Sequence, residues 1–439
     1  MTVTPDTIAS LVLQHFDQLP TKRKPQVRDN GAHEWVPLSG IVAQGKDDKL
    51  TCLSLATGMK CLPYSKLPRA QGNVLHDWHA EVLAIRAFNR FLLDEVKSLS
   101  QETAASSPFL RRREESEALS ATDGQTRQTT TEYEQPFTWR EDVKLHMYCS
   151  EAPCGDASME LIMAAQDDAS PWEIPPSLNP ITSSSSSDPT TTPDHPSFTE
   201  HRPLPGRAYF SQLGAVRLKP SRADAPPTMS KSCSDKMALA QCTSLLSSLT
   251  SLFVCPTNVY LHSVILPASQ YSSIGCTRAF SSVGRMSGAA EVGQKWEGGY
   301  RFSQFQVNKT NLEFQWSKRS IEARVGGERG KAVASNLAVA WTGHGLEETT
   351  LGGTLQGRKP FDPRGASFTA RRKMWTLGLE VAGMLGVVMI QAQKALASPS
   401  YGEIKESSLL EARRQVKRDV KAHALKGWAR NKGDNDFML

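Results

Sequence analysis

The pattern of apolar and polar positions along the chain predicts an alternation of helices and strands. Apolar residues recur at helical spacing over residues 6–19, which predicts an amphipathic helix. Two runs, 35–43 and 49–57, flank a polar turn and are typical of a pair of strands. A longer helix is predicted next, because one face of it carries apolar residues at helical spacing: Val82, Ile85, Phe88, Leu92, Val96 and Leu99.

Further along the chain, the same criteria predict strands and helices in turn. The predicted strands cover 144–150, 258–266 and 337–341, and the predicted helices begin at Cys154, run from Cys233 to about Phe253, and lie near 368–396 and 403–429. This order of elements predicts the α/β class, with the last helices as a C-terminal extension.

Two polar tracts interrupt this pattern, at about 101–138 and about 167–205. They are charged or rich in Ser and Pro, and they cannot bury enough apolar surface to order themselves, so we expect disordered insertions. Candidate metal ligands lie on both sides of them. We therefore predict one domain over 35–439 that contains both insertions, preceded over 1–34 by a helix and a basic linker.

Composition and charge narrow the class of protein. The eight cysteines show no small-domain disulfide spacing, and the N-terminus lacks the basic-then-apolar plan of a secretion signal. No apolar run reaches the roughly 18–20 residues of a membrane span, so no membrane is expected. We expect an intracellular protein, in the nucleus or the cytoplasm or both, whose thiols are free for metal. The net charge of +6 permits a nucleic-acid partner without requiring one.

Candidate chemistry begins with His79-Ala-Glu81 at the start of the long predicted helix. In the zinc deaminase signature, a His binds the metal and a Glu two residues later shuttles protons. For the tripeptide alone, the alternative is a helix-start Glu beside a surface His. Whether two thiolates complete the site decides between these interpretations.

Cys154 and Cys233 each stand at the start of a predicted helix. A helix N-terminus lowers the pKa of a thiol, and the thiolate is the form that binds metal. One imidazole and two thiolates leave the fourth position of zinc open for water, as in catalytic sites. His79, Cys154 and Cys233 are thus the predicted ligands, and Glu81 is the predicted base. The alternative is three ordinary helix starts, with the cysteines as small buried hydrophobes.

The general deaminase pattern has a second cysteine three residues after the first, but position 157 is Ala, so the second thiolate must come from elsewhere. Such a split arrangement resembles the eukaryotic adenosine deaminases that act on tRNA and on double-stranded RNA. The motifs that carry this resemblance are Ser39-Gly-Ile-Val, Thr57-Gly-Met-Lys-Cys61, His79-Ala-Glu81, Pro153-Cys-Gly-Asp-Ala-Ser158, Ser232-Cys-Ser-Asp-Lys236 and Phe253-Val-Cys-Pro256.

The resemblance implies a cytidine-deaminase-like, three-layer α/β/α fold with a mixed central sheet and a C-terminal extension. It also implies zinc on His79, Cys154 and Cys233, with Glu81 as proton shuttle.

Within this family, the sequence resembles the enzymes that act on tRNA more than the editors of double-stranded RNA. Fewer than 40 residues precede the first predicted strand, too few for an added RNA-binding domain of about 50 residues or more. Ser158 also matches the tRNA-acting type. The resemblance implies deamination to inosine of adenosine-37, next to the anticodon of tRNA-Ala, with the anticodon stem-loop as partner and no DNA. The alternatives are an enzyme that edits double-stranded RNA or mRNA, and a non-catalytic zinc-containing RNA-binding protein.

The resemblance further implies one inositol hexakisphosphate buried in the domain. Matched by position, its contacts are Asp77, Arg86, Lys236, Ser248, Arg371, Tyr401, Lys405, Trp428 and Asp436. The pattern departs at Ile85 and Leu239, where the family often has basic residues, and at His76, where Asn is usual. Fewer cations would leave buried phosphates underneutralised. Without the resemblance, a basic residue such as Arg86 on an apolar helix is more often snorkelling or paired.

For the RNA substrate, Met59 and Lys60 match family positions that line the nucleotide pocket. Lys219, Arg222, residues 371–373 and the C-terminal basic helix are candidates for phosphate contacts. That helix carries Arg413, Arg414, Lys417, Arg418 and Lys421, mostly on one side. A solvated charged face explains the helix equally well.

Overall fold

The computed structural model describes residues 2–101, 106–114, 117, 135–165, 204–206, 209, 212–219, 225–326, 331–431 and 433–439. The α-helices in this part of the chain are α1 Pro5–Gln18, α2 Ala80–Ser100, α3 Met159–Ala164, α4 Cys233–Thr243, α5 Ser273–Phe280, α6 Ser287–Val292, α7 Lys318–Val325, α8 Arg371–Leu385, α9 Ile390–Leu396, α10 Tyr401–Glu406 and α11 Glu411–His423. The strands are β1 His33–Trp35, β2 Leu38–Gln44, β3 Leu50–Thr57, β4 Leu110–Arg112, β5 Phe137–Trp139, β6 Lys144–Cys149, β7 Leu204–Pro205, β8 Arg217–Leu218, β9 Val254–Cys255, β10 Leu261–Pro267, β11 Gln306–Thr310, β12 Ala332–Ala334, β13 Leu337–Thr342, β14 Glu347–Leu351 and β15 Thr354–Leu355.

The main sheet has eight strands in the order β11-β10-β6-β2-β3-β13-β14-β15. β10 pairs in parallel with β11 and β6, and the other neighbours pair antiparallel, so the sheet is mixed, as predicted. β2 is antiparallel to both β3 and β6, which therefore run in the same direction and end at the same edge. The loops that follow β3 and β6 carry His79 and Cys154, so the topology brings these two candidate ligands to one edge of the sheet.

Successive side chains of β2 point to opposite faces of the sheet, and each face has its own apolar core. Ile41 belongs to the core shared with α2, whereas its neighbour Val42 belongs to the core shared with α1. Helices therefore cover both faces of the sheet. Gly40 lets α1 approach closely, because a Cβ at this position would lie 2.6 Å from Cγ1 of Val12.

α1 lies within one residue of its predicted bounds and packs into the core of the domain. Phe16 is fully buried, and its ring centre lies 5.0 Å from that of Phe314. β1 pairs in parallel with β12, far along the chain. The predicted boundary between 1–34 and 35–439 thus divides the sequence but not the apolar core.

The first polar tract begins and ends in ordered structure, so its predicted bounds, 101–138, are too wide. β4 and β5 pair with each other, and β5 also pairs with β9. Phe137 and Trp139 are fully buried, which anchors this end of the tract to the core. Much of both tracts lies outside the described residues.

Two predicted helices have different bounds in the structure. The helix that begins at Cys233 ends at Thr243 rather than Phe253, because Ser244 has a φ of +58° and leaves the helical path. The helix predicted at Cys154 is a short 3-10 turn, Asp156–Ser158, that continues as α3.

One described stretch, Arg371–Leu396, is apolar and long enough to span a membrane by length and composition, so the expectation of no such run is wrong. It comprises α8, a 3-10 turn and α9, and 39% of its most apolar 18 residues are buried. Trp375 and Val381 lie in the same core as α2. A helix buried in a protein core can be as long and as apolar as a membrane span. Length and composition alone therefore do not distinguish the two.

Candidate metal centre and its surroundings

His79 immediately precedes α2 and has an extended backbone. The Ala80 amide donates a hydrogen bond to the Gly58 carbonyl over 2.8 Å, which fixes the helix start against the end of β3. The Asp77 carboxylate accepts a hydrogen bond from the His79 amide at 3.0 Å. The imidazole is therefore carried on a fixed helix start at the edge of the sheet.

The two cysteine loops meet because Gly155 has no side chain. Its φ is +104°, and a Cβ there would lie 2.2 Å from the hydroxyl oxygen of Ser232. The Ser234 amide donates to the Cys154 carbonyl over 3.0 Å, and the Cys233 amide donates to the Cys154 sulfur over 3.3 Å. Residues that are 79 positions apart in the sequence thus form one site.

Three candidate ligand atoms come together at this edge of the sheet. Nδ1 of His79 lies 3.8 Å from Sγ of Cys154 and 3.6 Å from Sγ of Cys233. In a tetrahedral site, with Zn–S near 2.3 Å and Zn–N near 2.0–2.1 Å, nitrogen and sulfur ligands are separated by about 3.6 Å. The donor set and its spacing therefore fit zinc. Three protein donors also leave one position of a tetrahedral ion for a non-protein ligand.

The two thiols have opposite pKa shifts. A hydrogen bond from Cys233 holds the pKa of Cys154 well below its ordinary value, and the charges of Lys219 and His79 add to the effect. Burial and the neighbouring Cys154 raise the pKa of Cys233. One thiolate is thus favoured at this place, and a metal cation held by both sulfurs would favour the thiolate form of the second.

The carboxylate of Glu81, in the first turn of α2, faces the same site. This residue is 6% exposed, and its Oε2 accepts a hydrogen bond from the Cys233 thiol at 3.2 Å. Burial raises the pKa of the carboxyl, and the charge of Cys154 raises it further. A carboxyl with a raised pKa is suited to take up and release a proton near neutral pH.

Lys219, predicted as a phosphate contact, is instead buried beside the candidate metal ligands. Its Nζ lies 3.2 Å from Sγ of Cys233 and 2.8 Å from Oδ2 of Asp77. Asp77 also accepts hydrogen bonds from Ser230 and Lys236. Burial alone would raise the pKa of Asp77, but Lys219 and Lys236 hold it well below its ordinary value. This position could not be foreseen from the sequence, because Lys219 stands in a basic, proline-rich stretch typical of exposed loops.

The predicted nucleotide-pocket residues lie on the loop that follows β3. The Trp78 amide donates to the Lys60 carbonyl over 3.0 Å, which holds this loop next to His79. The Lys60 ammonium donates to the side-chain carbonyl of Asn336, and Met59 packs against the core that α1 covers. Arg222, the other predicted substrate contact, lies outside the described residues.

Residues 54–432 match the family described as the adenosine-deaminase (editase) domain, which covers more than four-fifths of the chain. The chain belongs to this family. It is 32% identical to the tRNA-specific adenosine deaminase 1 of Schizosaccharomyces pombe, over 98% of this chain and 96% of that protein. It is 25% identical to the human tRNA-specific adenosine deaminase 1, over 77% of this chain and 80% of that protein. It is also 25% identical to the double-stranded RNA-specific editase Adar of Drosophila melanogaster, over 80% of this chain and 43% of that protein.

In this editase domain, a second group of predicted residues lies further along α2 and in the C-terminal helices. Burial and the nearby Arg371 lower the pKa of Arg86 to about 10, and the same two causes lower the pKa of Lys405 to about 7. The guanidinium carbon of Arg371 lies 5.6 Å from the ring centre of Tyr401, and Nζ of Lys405 lies 4.7 Å from it. The structure thus brings together four of the residues predicted to contact the polyphosphate.

α11 adds further cations to these four residues, and none of them was among the predicted polyphosphate contacts. Burial lowers the pKa of Lys417 well below its ordinary value, and the charges of Arg413, Lys405 and Lys421 lower it further. Arg413 is only 6% exposed. We call the following residues the cationic cluster: Arg86, Arg371, Lys405, Arg413, Lys417 and Lys421.

The basic residues of α11 therefore do not form a single face for RNA. Arg414 and Arg418 lie on the other side of the helix, where both pair with Glu411. A sequence signal for the buried side existed, because Arg413 and Lys417 alternate at helical spacing with the buried apolar residues of the same helix, Val416 and Val420.

The other residues predicted to contact the polyphosphate differ in their burial and in their distance from the cationic cluster. Asp436 is exposed, and Asp434 is buried in its place, with Oδ2 2.7 Å from Nε2 of His76 and 3.5 Å from Nη1 of Arg371. The ring centre of Trp428 lies 5.8 Å from Nζ of Lys421. Ser248, on the segment between α4 and β9, is half-buried, and its role stays a prediction.

Proposed function

We propose that this protein hydrolytically deaminates adenosine to inosine in tRNA, at position 37 next to the anticodon of tRNA-Ala. The observation that carries the proposal is the Glu81 carboxylate 3.2 Å from Sγ of Cys233, within a group of one imidazole and two thiols. A binding protein with a structural metal has no use for such a carboxylate. The tRNA-specific names of relatives that match over most of this chain support the choice of substrate.

His79, Cys154 and Cys233 would hold a zinc ion. A zinc ion bound by these residues supplies Lewis acidity that makes water a nucleophile at neutral pH. The Glu81 carboxylate is placed to accept a proton from the attacking water and to deliver it to the amino nitrogen of adenosine, which leaves as ammonia. The net reaction consumes one water and yields inosine.

Lys219 would act through Cys233 and Asp77 rather than through the substrate. Its ammonium stabilises the thiolate of Cys233, since a cation at hydrogen-bond distance favours the charged form of a thiol. Asp77 fixes that ammonium and also holds the backbone of His79. Met59 and Lys60, on the loop held next to His79, would line the pocket for the reacting nucleotide.

We also propose that the cationic cluster binds inositol hexakisphosphate. Each added cation lowers the pKa of its neighbours, and such a concentration of buried positive charge is costly without a counter-anion. The lowered pKa values of Lys405 and Lys417 support a polyanion at this place. Lys236, Tyr401 and Trp428 would complete the site.

The arrangement of the sheet and the state of the cysteines support two further parts of the proposal. Helices on both faces of a mixed sheet support the cytidine-deaminase-like, three-layer arrangement. All eight cysteines are free thiols, which supports a reducing compartment, the nucleus or the cytoplasm, as the place of work.

The test of the substrate is a comparison of transcribed tRNA-Ala with a long RNA duplex, both incubated with purified full-length protein and sequenced for inosine. Inosine at position 37 of the tRNA and none in the duplex is the expected result. Inosine in the duplex alone would favour the double-stranded RNA editor, and inosine in neither would favour the RNA-binding protein.

A further inference from the structure

Two exposed segments, one in the loop between β3 and α2 and one between β15 and the first turn of α8, concentrate positive charge. Residues 64–72 and 356–373 carry eight basic residues and one acidic residue, a net charge of +7, whereas the whole chain carries +6. The acidic residue, Asp362, pairs with Arg364 at 3.0 Å. The exposed basic residues of the two segments are Lys66, Arg69, Arg358, Lys359, Arg364 and Lys373, which we call the basic surface.

The two segments pack against each other, so their charges form one surface. The guanidinium carbon of Arg69 lies 4.3 Å from the ring centre of Phe361. The Arg372 amide donates to the Gly72 carbonyl over 3.0 Å. Phe361 has a φ of +66°, a backbone conformation that is rare for residues other than glycine. The contact with Arg69 covers this turn, which presents Arg358 and Lys359 to solvent.

The basic surface is tied to the loop that carries His79. The Leu75 amide donates to the Gly353 carbonyl over 3.0 Å, and the Leu62 amide donates to the His76 carbonyl over 2.9 Å. Gly72 precedes His79 by seven residues, so these two residues are at most about 25 Å apart. An RNA whose reacting base enters the metal centre therefore has backbone within reach of this surface.

We propose that the basic surface binds the phosphate backbone of the tRNA stem next to the anticodon loop while the reacting adenosine enters the metal centre. This inference rests on the proposed function, because it takes tRNA as the substrate. Exposed Lys and Arg side chains position a nucleic acid through its phosphates without reading its sequence. Lys219 and the inner side of α11 were expected from the sequence to contact phosphates, but both are buried. The basic surface offers exposed cations in their stead.

The test is the affinity of full-length protein for transcribed tRNA-Ala, measured by filter binding from low to physiological salt. The variant K66Q/R358Q/K359Q removes three charges from both segments and breaks no ion pair of Asp362. We expect affinity at physiological salt to fall by about tenfold or more, and the slope of log affinity against log salt to become shallower by roughly two. The rate of inosine formation at saturating tRNA should stay within about twofold of wild type, because these residues do not touch the metal centre.

The matched control is K46Q/K49Q/K144Q, which removes three exposed lysines at the opposite end of β2, β3 and β6. Loss of affinity and slope in the first variant, with the control unchanged, supports the basic surface. Unchanged affinity in the first variant, or an equal loss in both, overturns it. A wild-type protein that binds the tRNA but makes no inosine contradicts the proposed function, whereas the two variants still decide the binding surface.

Discussion

Nζ of Lys219 lies 3.2 Å from Sγ of Cys233, and it lies 2.8 Å from Oδ2 of Asp77. Lys236 donates to the same carboxylate. These contacts connect a proposed metal ligand, through one buried carboxylate, to a lysine predicted to bind the polyphosphate. The charge on the candidate metal ligands is therefore coupled to buried groups that are not themselves candidate ligands.

The first prediction concerns Lys219. Lys219→Met keeps the length of the side chain but removes the charge beside Cys233, so zinc affinity should fall by about 10- to 100-fold, as for other partners of metal ligands. The measurement is zinc retained during titration with a chelator. Lys219→Arg keeps a cation and should retain more zinc than Lys219→Met. Equal zinc affinity in wild type and Lys219→Met would remove this residue from the site.

The second prediction concerns the ligands. Cys233→Ala removes one of two thiolates, and bound zinc should fall from about one ion per chain to a small fraction. Cys242→Ala is the control, because Cys242 is a buried cysteine on the same helix that packs in the apolar core. Metal analysis of both variants checks the assignment. Full zinc content in Cys233→Ala would mean that the third ligand is a different residue.

The third prediction concerns the cationic cluster. With a polyanion bound, Lys417→Met should lower the melting temperature and the amount of organic phosphate that purifies with the protein. Without one, the same change would relieve buried repulsion and raise the melting temperature. Arg418→Met, on the exposed side of the same helix, should change neither quantity by much. A more stable Lys417→Met protein that holds no phosphate would contradict the polyphosphate site.

The fourth prediction concerns α1. Phe16 is fully buried between α1 and the sheet, so Phe16→Ala should lower the free energy of unfolding by about 3–5 kcal/mol. Gln14→Ala, an exposed change in the same helix, should have little effect. Urea denaturation gives both values. Equal stability of the two variants would mean that α1 is not part of the folded core.

The elements, and the three residues that the structure brings together as candidate metal ligands, could be predicted because both depend on short patterns. Helical spacing marked α1 and α2, and His79, Cys154 and Cys233 stand in local motifs at the ends of strands or the starts of helices. The pairing of β3 and β6 with β2, which brings those motifs together, is a long-range property. It could be expected only from the resemblance to a family.

Burial of charged residues could not be predicted in the same way. Lys219 stands in a stretch of basic residues and prolines, and nothing nearby in the sequence shows that Asp77 and Cys233 will surround it. Lys417 and Arg418 are adjacent in sequence, yet one faces the core and the other faces solvent. In the sequence, only the interleaved apolar residues Val416 and Val420 distinguish these faces, because they mark the buried side of the helix.

The central claim is that Glu81 moves the proton in deamination of tRNA, and one measurement tests it most directly. Wild-type protein and Glu81→Gln, each with its zinc content measured, are incubated with transcribed tRNA-Ala, and inosine at position 37 is read by sequencing. We predict inosine with wild type, and a rate at least about 100-fold lower with Glu81→Gln at equal zinc content. Inosine formation by Glu81→Gln at the wild-type rate would contradict the account.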